Sequence, residues 1–293
     1  AYTKTFAMAG AALLSITLVP VLILLLIRGR IPREEDNRLG RFMIRWYQPI
    51  VAGVMRWKKS ILVIALGVTA DGRKRFLGFV ETDTENDKVL APFLRSLVDR
   101  GLDLSQGLLV VIDGGKGLRS AVRQVFQKRA LVQRCMWHKR ENVVSHLAKP
   151  EQASWRGRLQ HAYDRPTYTE AKAALTKLHG ELENRNQSAA ASLAEGLEET
   201  LTLHRLGVYA QLGRSFKTTN CIESANALVE ERCAKVDAWK TSNQRHRWLA
   251  TALLDIEPRL RRVKGHRHLP KLITALRRAL NIKEQTNTLE EAA

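Results

Sequence analysis

Residues 107–122 read GLLVVIDGGKGLRSAV. Gly107 to Ile112 is a short apolar run rich in branched side chains, the composition of a buried strand. Asp113 ends the run, and glycines at 114, 115 and 117 surround Lys116. From Gly115 to Lys128 the apolar residues recur at helical spacing. A carboxylate at a strand end just before a glycine turn is where open α/β sheets place ligand groups. An Asp there also suits capping of the helix that follows, and the local pattern leaves both readings open. The glycines match neither a phosphate-binding loop nor a dinucleotide fingerprint.

The neighbouring residues extend this unit in both directions. Ile61 to Val68, ILVIALGV, is a second strand-length run, and Lys74 to Val80 is its return strand. Between them Asp71-Gly72 favours a tight turn. Asn86 to Arg100 has a helical pattern, and Gly101 is placed to end it. Ala130 to Cys135 reads as a further strand. The order hairpin, helix, strand, helix, strand implies the α/β class. From Trp137 to Arg214 the pattern is almost wholly helical, with a break at Asp164-Arg165-Pro166. Residues 219–258 read as helices again, with Trp239 and Trp248 in the core, and the polar tail from 281 is expected to fray.

The chain has 293 residues and 48 Lys+Arg against 29 acids, a net charge of +19. Such a surplus implies a polyanionic partner, nucleic acid or an anionic membrane, and says little about fold. Its densest stretch holds Arg259, Arg261, Arg262, Lys264 and Arg267, either a solvated helix end or a DNA contact, and Lys116 joins them as a candidate. Cys135, Cys221 and Cys233 are too few and odd in number for a disulfide framework. Cys135 and His138 form a C-x-x-H pair, but a structural zinc needs four ligands and no second pair has the usual spacing. Glu223 falls in the first turn of a helix that Thr219 or Asn220 would cap, where an acid gains from the helix dipole alone.

Residues 1–59 differ in kind. Phe6 to Ile27 is an uncharged run of 22 residues. As a helix it reaches about 33 Å, enough to span a bilayer core, and a buried core helix is the alternative. Arg28, Arg30 and Arg33 place its C-terminal side in the cytoplasm by the positive-inside rule. Asn37 to Lys59 mixes basic and aromatic residues as an interfacial amphipathic segment does. The stretches TFAMAGAALLSITLVPVLILLLIRGRI and NRLGRFMIRWYQPIVAGVMR resemble heavy-metal efflux pumps of the resistance-nodulation-division class, over about residues 3–59. One helix cannot make a transport pathway.

The rest carries a second resemblance, in order along about residues 60–280. VIDGGKGLRSAV, ALVQRCMWHKRENV, SFKTTNCIESANALV and HRWLATALLDIEPRLRRVKGHRHLP are similar to the mutator-type transposases of bacterial insertion sequences. The resemblance implies an RNase H-like core with a helical insertion, and a catalytic acidic triad holding two divalent ions, Mg²⁺ or Mn²⁺. The second and third acids match Asp113 and Glu223, and the C-x-x-H signature matches Cys135 and His138. It implies DNA as partner, and a second copy or an intact transposase for assembly. The first triad Asp belongs on a strand before Ile61, where this chain has VAGVMRWKKS. The expected fold is therefore an incomplete RNase H-like α/β core preceded by one transmembrane helix and an amphipathic helix. The expected parse is 1–59 (efflux-like), 60–148 (sheet portion), 149–215 (helical insertion), 216–280 (helices with Glu223) and 281–293 (tail). Residues 60–293 are expected in the cytoplasm, tethered to the membrane through residues 6–27. The expected activity is DNA strand cleavage and transfer, defective for want of the first Asp.

Overall fold

The computed structural model describes residues 61–82, 86–234, 236 and 242–282. The expected membrane helix at 6–27, the amphipathic segment at 37–59, Trp239 and the tail from 283 lie outside the described residues. Among the described residues no helix is long and apolar enough to cross a membrane. The described residues belong to one unit, Ser60–Ala293.

Strands β1 (Ile61–Val68) and β2 (Lys74–Thr82) form the expected antiparallel hairpin. Their turn closes through Thr69 and Arg73, with Gly72 at φ 82. Helix α1 (Asp87–Asp99) follows, its N-terminus capped by the Asn86 side chain, which accepts from the Val89 N–H at 3.1 Å. Gly101, at φ 98, ends it. Then come β3 (Leu108–Ile112), α2 (Lys116–Phe126) and β4 (Ala130–Arg134), with β3 and β4 parallel. A helical stretch follows: α3 (Met136–Ser145), α4 (Lys149–Tyr163), α5 (Tyr168–Glu183), α6 (Gln187–Ala194), and two single turns, α7 (Leu197–Thr200) and α8 (Thr202–Arg205). It continues with α9 (Tyr209–Phe216), α10 (Asn220–Cys233), α11 (Ser242–Ile256) and α12 (Leu269–Ala279).

The expected RNase H-like α/β core is not what these strands build. The described residues are mostly helical, and their four strands make two separate two-stranded sheets, β1–β2 and β3–β4. The physical reason lies in what covers the strands. Alternate side chains of a strand point to opposite faces. Val63, Ala65, Leu77 and Val80 of the hairpin, with Leu108, Val110, Ala130 and Val132 of the other sheet, all pack on one cluster centred on α1 and α2. The opposite faces take different partners. Leu62, Ile64, Phe76 and Phe79 meet α10 and α11, and Leu109 and Leu131 meet α8, α9 and α12. Helices thus cover both faces of each pair, and apolar runs buried on both faces look alike in sequence whether or not they share one sheet.

Trp248, expected in the core, is exposed. It lies on the outer side of α11, whose buried side is Leu249, Ala252, Leu253 and Ile256. A second, wholly helical core spans α3 to α7, around Trp155, Leu159, Leu175, Leu182 and Leu193. Leu159 is fully buried there. Leu159→Ala should lower unfolding stability by about 2–5 kcal/mol in denaturant titration, through lost transfer energy and the cavity left behind.

Candidate active site

Asp113 follows the last residue of β3, partly exposed. Its Oδ1 accepts from the Gly115 N–H at 3.0 Å. Gly115 occupies the cap position of α2 and has no side chain with which to cap it. The Asp113 carboxylate therefore holds the turn and stands over the start of α2 without being the cap residue. Gly114 makes that turn at φ 111, a conformation that side-chain-bearing residues avoid.

The next strand brings the C-x-x-H pair alongside. The Cys135 N–H donates to the Ile112 carbonyl at 2.7 Å, which extends the β3–β4 ladder by one residue toward Asp113. Cys135 starts α3, and the Met136 N–H donates to the Lys217 carbonyl at 2.9 Å. That second bond pulls in the segment before α10, and with it Thr219. The buried Thr219 hydroxyl is the hub of the group. It lies 2.9 Å from Glu223 Oε1, 3.3 Å from His138 Nδ1 and 3.5 Å from Cys135 Sγ. A hydroxyl has one proton to give. With that proton on the short bond to Glu223, the network closes when His138 Nδ1–H donates to the Thr219 oxygen. His138 Nε2 then faces Glu223 Oε1 at 3.9 Å. The structure thus gathers Cys135, His138 and Glu223, and links them through Cys135 to the strand end that carries Asp113.

Thr219 sits at the cap position of α10 but makes no capping bond with its side chain. Its hydroxyl turns to Glu223 one turn along, and this role went unseen in the sequence, where Thr219 read only as a helix cap. Among the described residues no group of three or more His, Cys, Asp or Glu side chains is placed to hold a metal ion.

Beneath the Asp113 turn lies a buried cationic pair that the sequence reading missed. The Arg134 side chain is only 4% exposed and runs between two glycines. A Cβ on Gly114 would fall 2.2 Å from Arg134 Nε, and one on Gly196 would fall 2.5 Å from Nη1. Gly196, at φ 68, precedes α7. The guanidinium donates to the Glu195 carbonyl at 3.1 Å and pairs with its carboxylate at 3.3 Å. Lys139, fully buried, stands 3.6 Å from the same carboxylate. Burial, and then the neighbouring Arg134 charge, push the Lys139 ammonium down to about 8. Burial works to raise the Glu195 carboxyl, but the two cations outweigh it and hold it below the usual range.

The family model described as "Transposase, Mutator family" matches residues 51–262. The chain belongs to the mutator family of transposases. It is 28% identical over 221 residues to the transposase of insertion sequence IS905 from Lactococcus lactis, covering 75% of this chain and 54% of that protein. It is 29% identical over 218 residues to the transposase of IS6120 from Mycolicibacterium smegmatis, covering 74% of this chain and 66% of that one. A 65-residue segment is 52% identical to the cation efflux system protein CusA of Escherichia coli, covering 22% of this chain but 6% of CusA. The chain therefore spans between half and two thirds of these transposases and a small fraction of the efflux protein. Both likenesses read from the sequence are borne out.

The basic residues of this mutator-family chain are spread differently. Lys116 is exposed at the start of α2. Arg259 pairs with Asp255 at 2.9 Å, and Arg262 lies 3.7 Å from Asp71. The Val263 N–H donates to Gly72, which docks the whole run on the hairpin turn. Arg261, Lys264 and Arg267 are exposed.

Two substitutions test the buried pair. Gly114→Ala should cost more than about 1 kcal/mol in denaturant titration, because the backbone and the Arg134 contact both oppose a Cβ. Lys139→Met should raise the melting temperature at neutral pH. The lowered Lys139 value means the unfolded chain holds more protons than the folded one between about pH 8 and 10.5, so the stability of the natural chain rises with pH across that window. The advantage of Lys139→Met should therefore be full below pH 8 and fade as pH approaches 10.5.

Proposed function

We propose that the chain acts on DNA as an insertion-sequence transposase polypeptide, with Asp113 and Glu223 as its phosphodiester-facing carboxylates. The observation that supports this best is the Thr219 hub. It gathers Glu223, His138 and Cys135, and Cys135 is bonded in turn to the strand end that carries Asp113. A run of hydrogen bonds thus leads from Glu223 to the strand end that carries Asp113, within a chain that belongs to a transposase family.

In this reading each residue has a distinct task. Asp113 is oriented by the Gly115 N–H, and Glu223 by the Thr219 hydroxyl. Cys135 and His138 hold Thr219 in place and do not themselves touch substrate. Lys116, Arg261, Lys264 and Arg267 are exposed cations suited to phosphate oxygens. Arg259 and Arg262, already paired with Asp255 and Asp71, contribute less.

Membership of this family brings the expectation of a divalent cation, Mg²⁺ or Mn²⁺. The donor set does not fit one as it stands. Hard divalent ions need several oxygen ligands, and a pair of them needs carboxylates on both. The described residues offer Asp113 and Glu223 without a third acid in the group. In this reading they contribute to DNA binding and orient two acids, and with two acids alone strand cleavage is expected to be severely impaired. The likeness to CusA, over 6% of that protein, carries no transport activity.

The test is DNA affinity and nicking measured together on the full chain. DNA should bind, with affinity falling steeply as salt rises. Replacing Arg261 and Arg267 by Gln should reduce the slope of log affinity against log salt by about two. Any Mn²⁺-dependent nicking of supercoiled DNA should vanish in Asp113→Asn while DNA affinity is no weaker. Nicking that survives Asp113→Asn, or a chain that fails to bind DNA, would overturn the reading.

A further inference from the structure

Three large apolar side chains stand exposed among the described residues: Trp137, Trp248 and Leu254. Trp248 and Leu254 lie on α11. Trp137 lies between Cys135 and His138, and its indole is 45% exposed. Water-facing tryptophan leaves apolar surface unburied, and this one adjoins His138, which lies 3.9 Å from Glu223.

The backbone that carries Trp137 is anchored on both sides. It occupies the first turn of α3, whose start is fixed on one side by the Cys135–Ile112 bond and on the other by the Met136–Lys217 bond. Its ring meets the His138 imidazole edge to face, with centroids 4.8 Å apart and planes at 81°. Close to half of Trp137 remains open to solvent. The neighbouring residue His138 contacts Thr219 and lies 3.9 Å from Glu223. An exposed aromatic ring therefore lies against His138, the residue that contacts the Thr219–Glu223 group, in a chain of net charge +19.

We propose that Trp137 stacks on an unpaired base at a DNA end and so positions the adjoining phosphodiester toward Asp113 and Glu223. This rests on the DNA reading above. Bases within a duplex already have both faces covered by neighbours. An unpaired base has a free face, and stacking on an aromatic side chain is strong and indifferent to sequence. Exposed cations of the chain would hold the backbone, while the indole would distinguish an open end from continuous duplex.

The experiment compares two DNA probes with the full chain. One is a duplex with a three-nucleotide single-stranded overhang carrying 2-aminopurine, and the other is the same duplex with blunt ends. Trp137→Ala should weaken binding of the overhang probe by about tenfold, within the range for one lost stack. It should leave the blunt probe and the salt slope unchanged. Trp137→Phe should keep most of the affinity. The 2-aminopurine emission should be quenched by the natural chain and by Trp137→Phe, but not by Trp137→Ala. Equal loss on both probes, or no loss on either, would overturn the proposal. If both affinities hold while Trp137→Ala shifts sedimentation to a smaller species, the indole serves a second copy of the chain and stacking is refuted. If the natural chain binds neither probe, it is the DNA reading that fails. Because Trp137 is exposed, neither substitution should lower the melting temperature, and a fall would show that the indole supports the fold instead.

Discussion

The Arg134 guanidinium leaves no room for a side chain at either Gly114 or Gly196, and both glycines adopt backbone conformations that suit the absence of one. Through that contact the turn carrying Asp113 is joined to the loop that opens α7. The helical core of α3 to α7 and the β3–α2–β4 unit therefore share one buried cation. Such a cation is costly to bury unless paired, and Glu195 supplies the pairing to Arg134 and Lys139 together. One half-exposed carboxylate facing two buried cations leaves a local excess of positive charge directly behind Asp113. A positive charge there favours the approach of phosphate.

Much of the local structure was legible in the sequence, for identifiable reasons. The hairpin at Ile61 to Val80, the helix opened by Asn86 and closed by Gly101, and the helical run broken near Pro166 each carry a pattern and a punctuating residue. Asp113 and Glu223 were legible as strand-end and helix-start acids, and the order of motifs along the chain marked the family. The pairing of strands was not legible. ILVIALGV and GLLVVI are both apolar on both faces, and nothing in such a run records whether its neighbour is another strand or a helix. That ambiguity produced the expectation of one sheet where two small ones stand.

The site itself was legible only in part. Thr219 read as a helix cap, since threonine before a helix usually is one. Its role as a hub depends on Cys135 and His138, more than eighty residues away. Arg134 and Lys139 carried no signal of their own in the sequence, because the pairing with Glu195 spans 61 residues for Arg134. Trp248 read as core because aromatic residues on a helix usually are, although the buried stripe of α11 runs one residue to its side. Long-range polar contacts leave no local mark, and these were the features that escaped.

The Glu257 carboxylate accepts from the Phe76 N–H at 2.7 Å and from Arg75 at 2.7 Å, joining positions 181 and 182 residues apart. The covering helices α10 and α11 are made correspondingly late in synthesis. At 5–20 residues per second the ribosome needs on the order of ten seconds or more to reach Glu257 after releasing Phe76. For that interval Leu62, Phe76 and Phe79 lack the helices that cover them in the folded chain. The apolar face of the hairpin is thus made well before the helices that cover it, an order of synthesis that exposes such surface to aggregation.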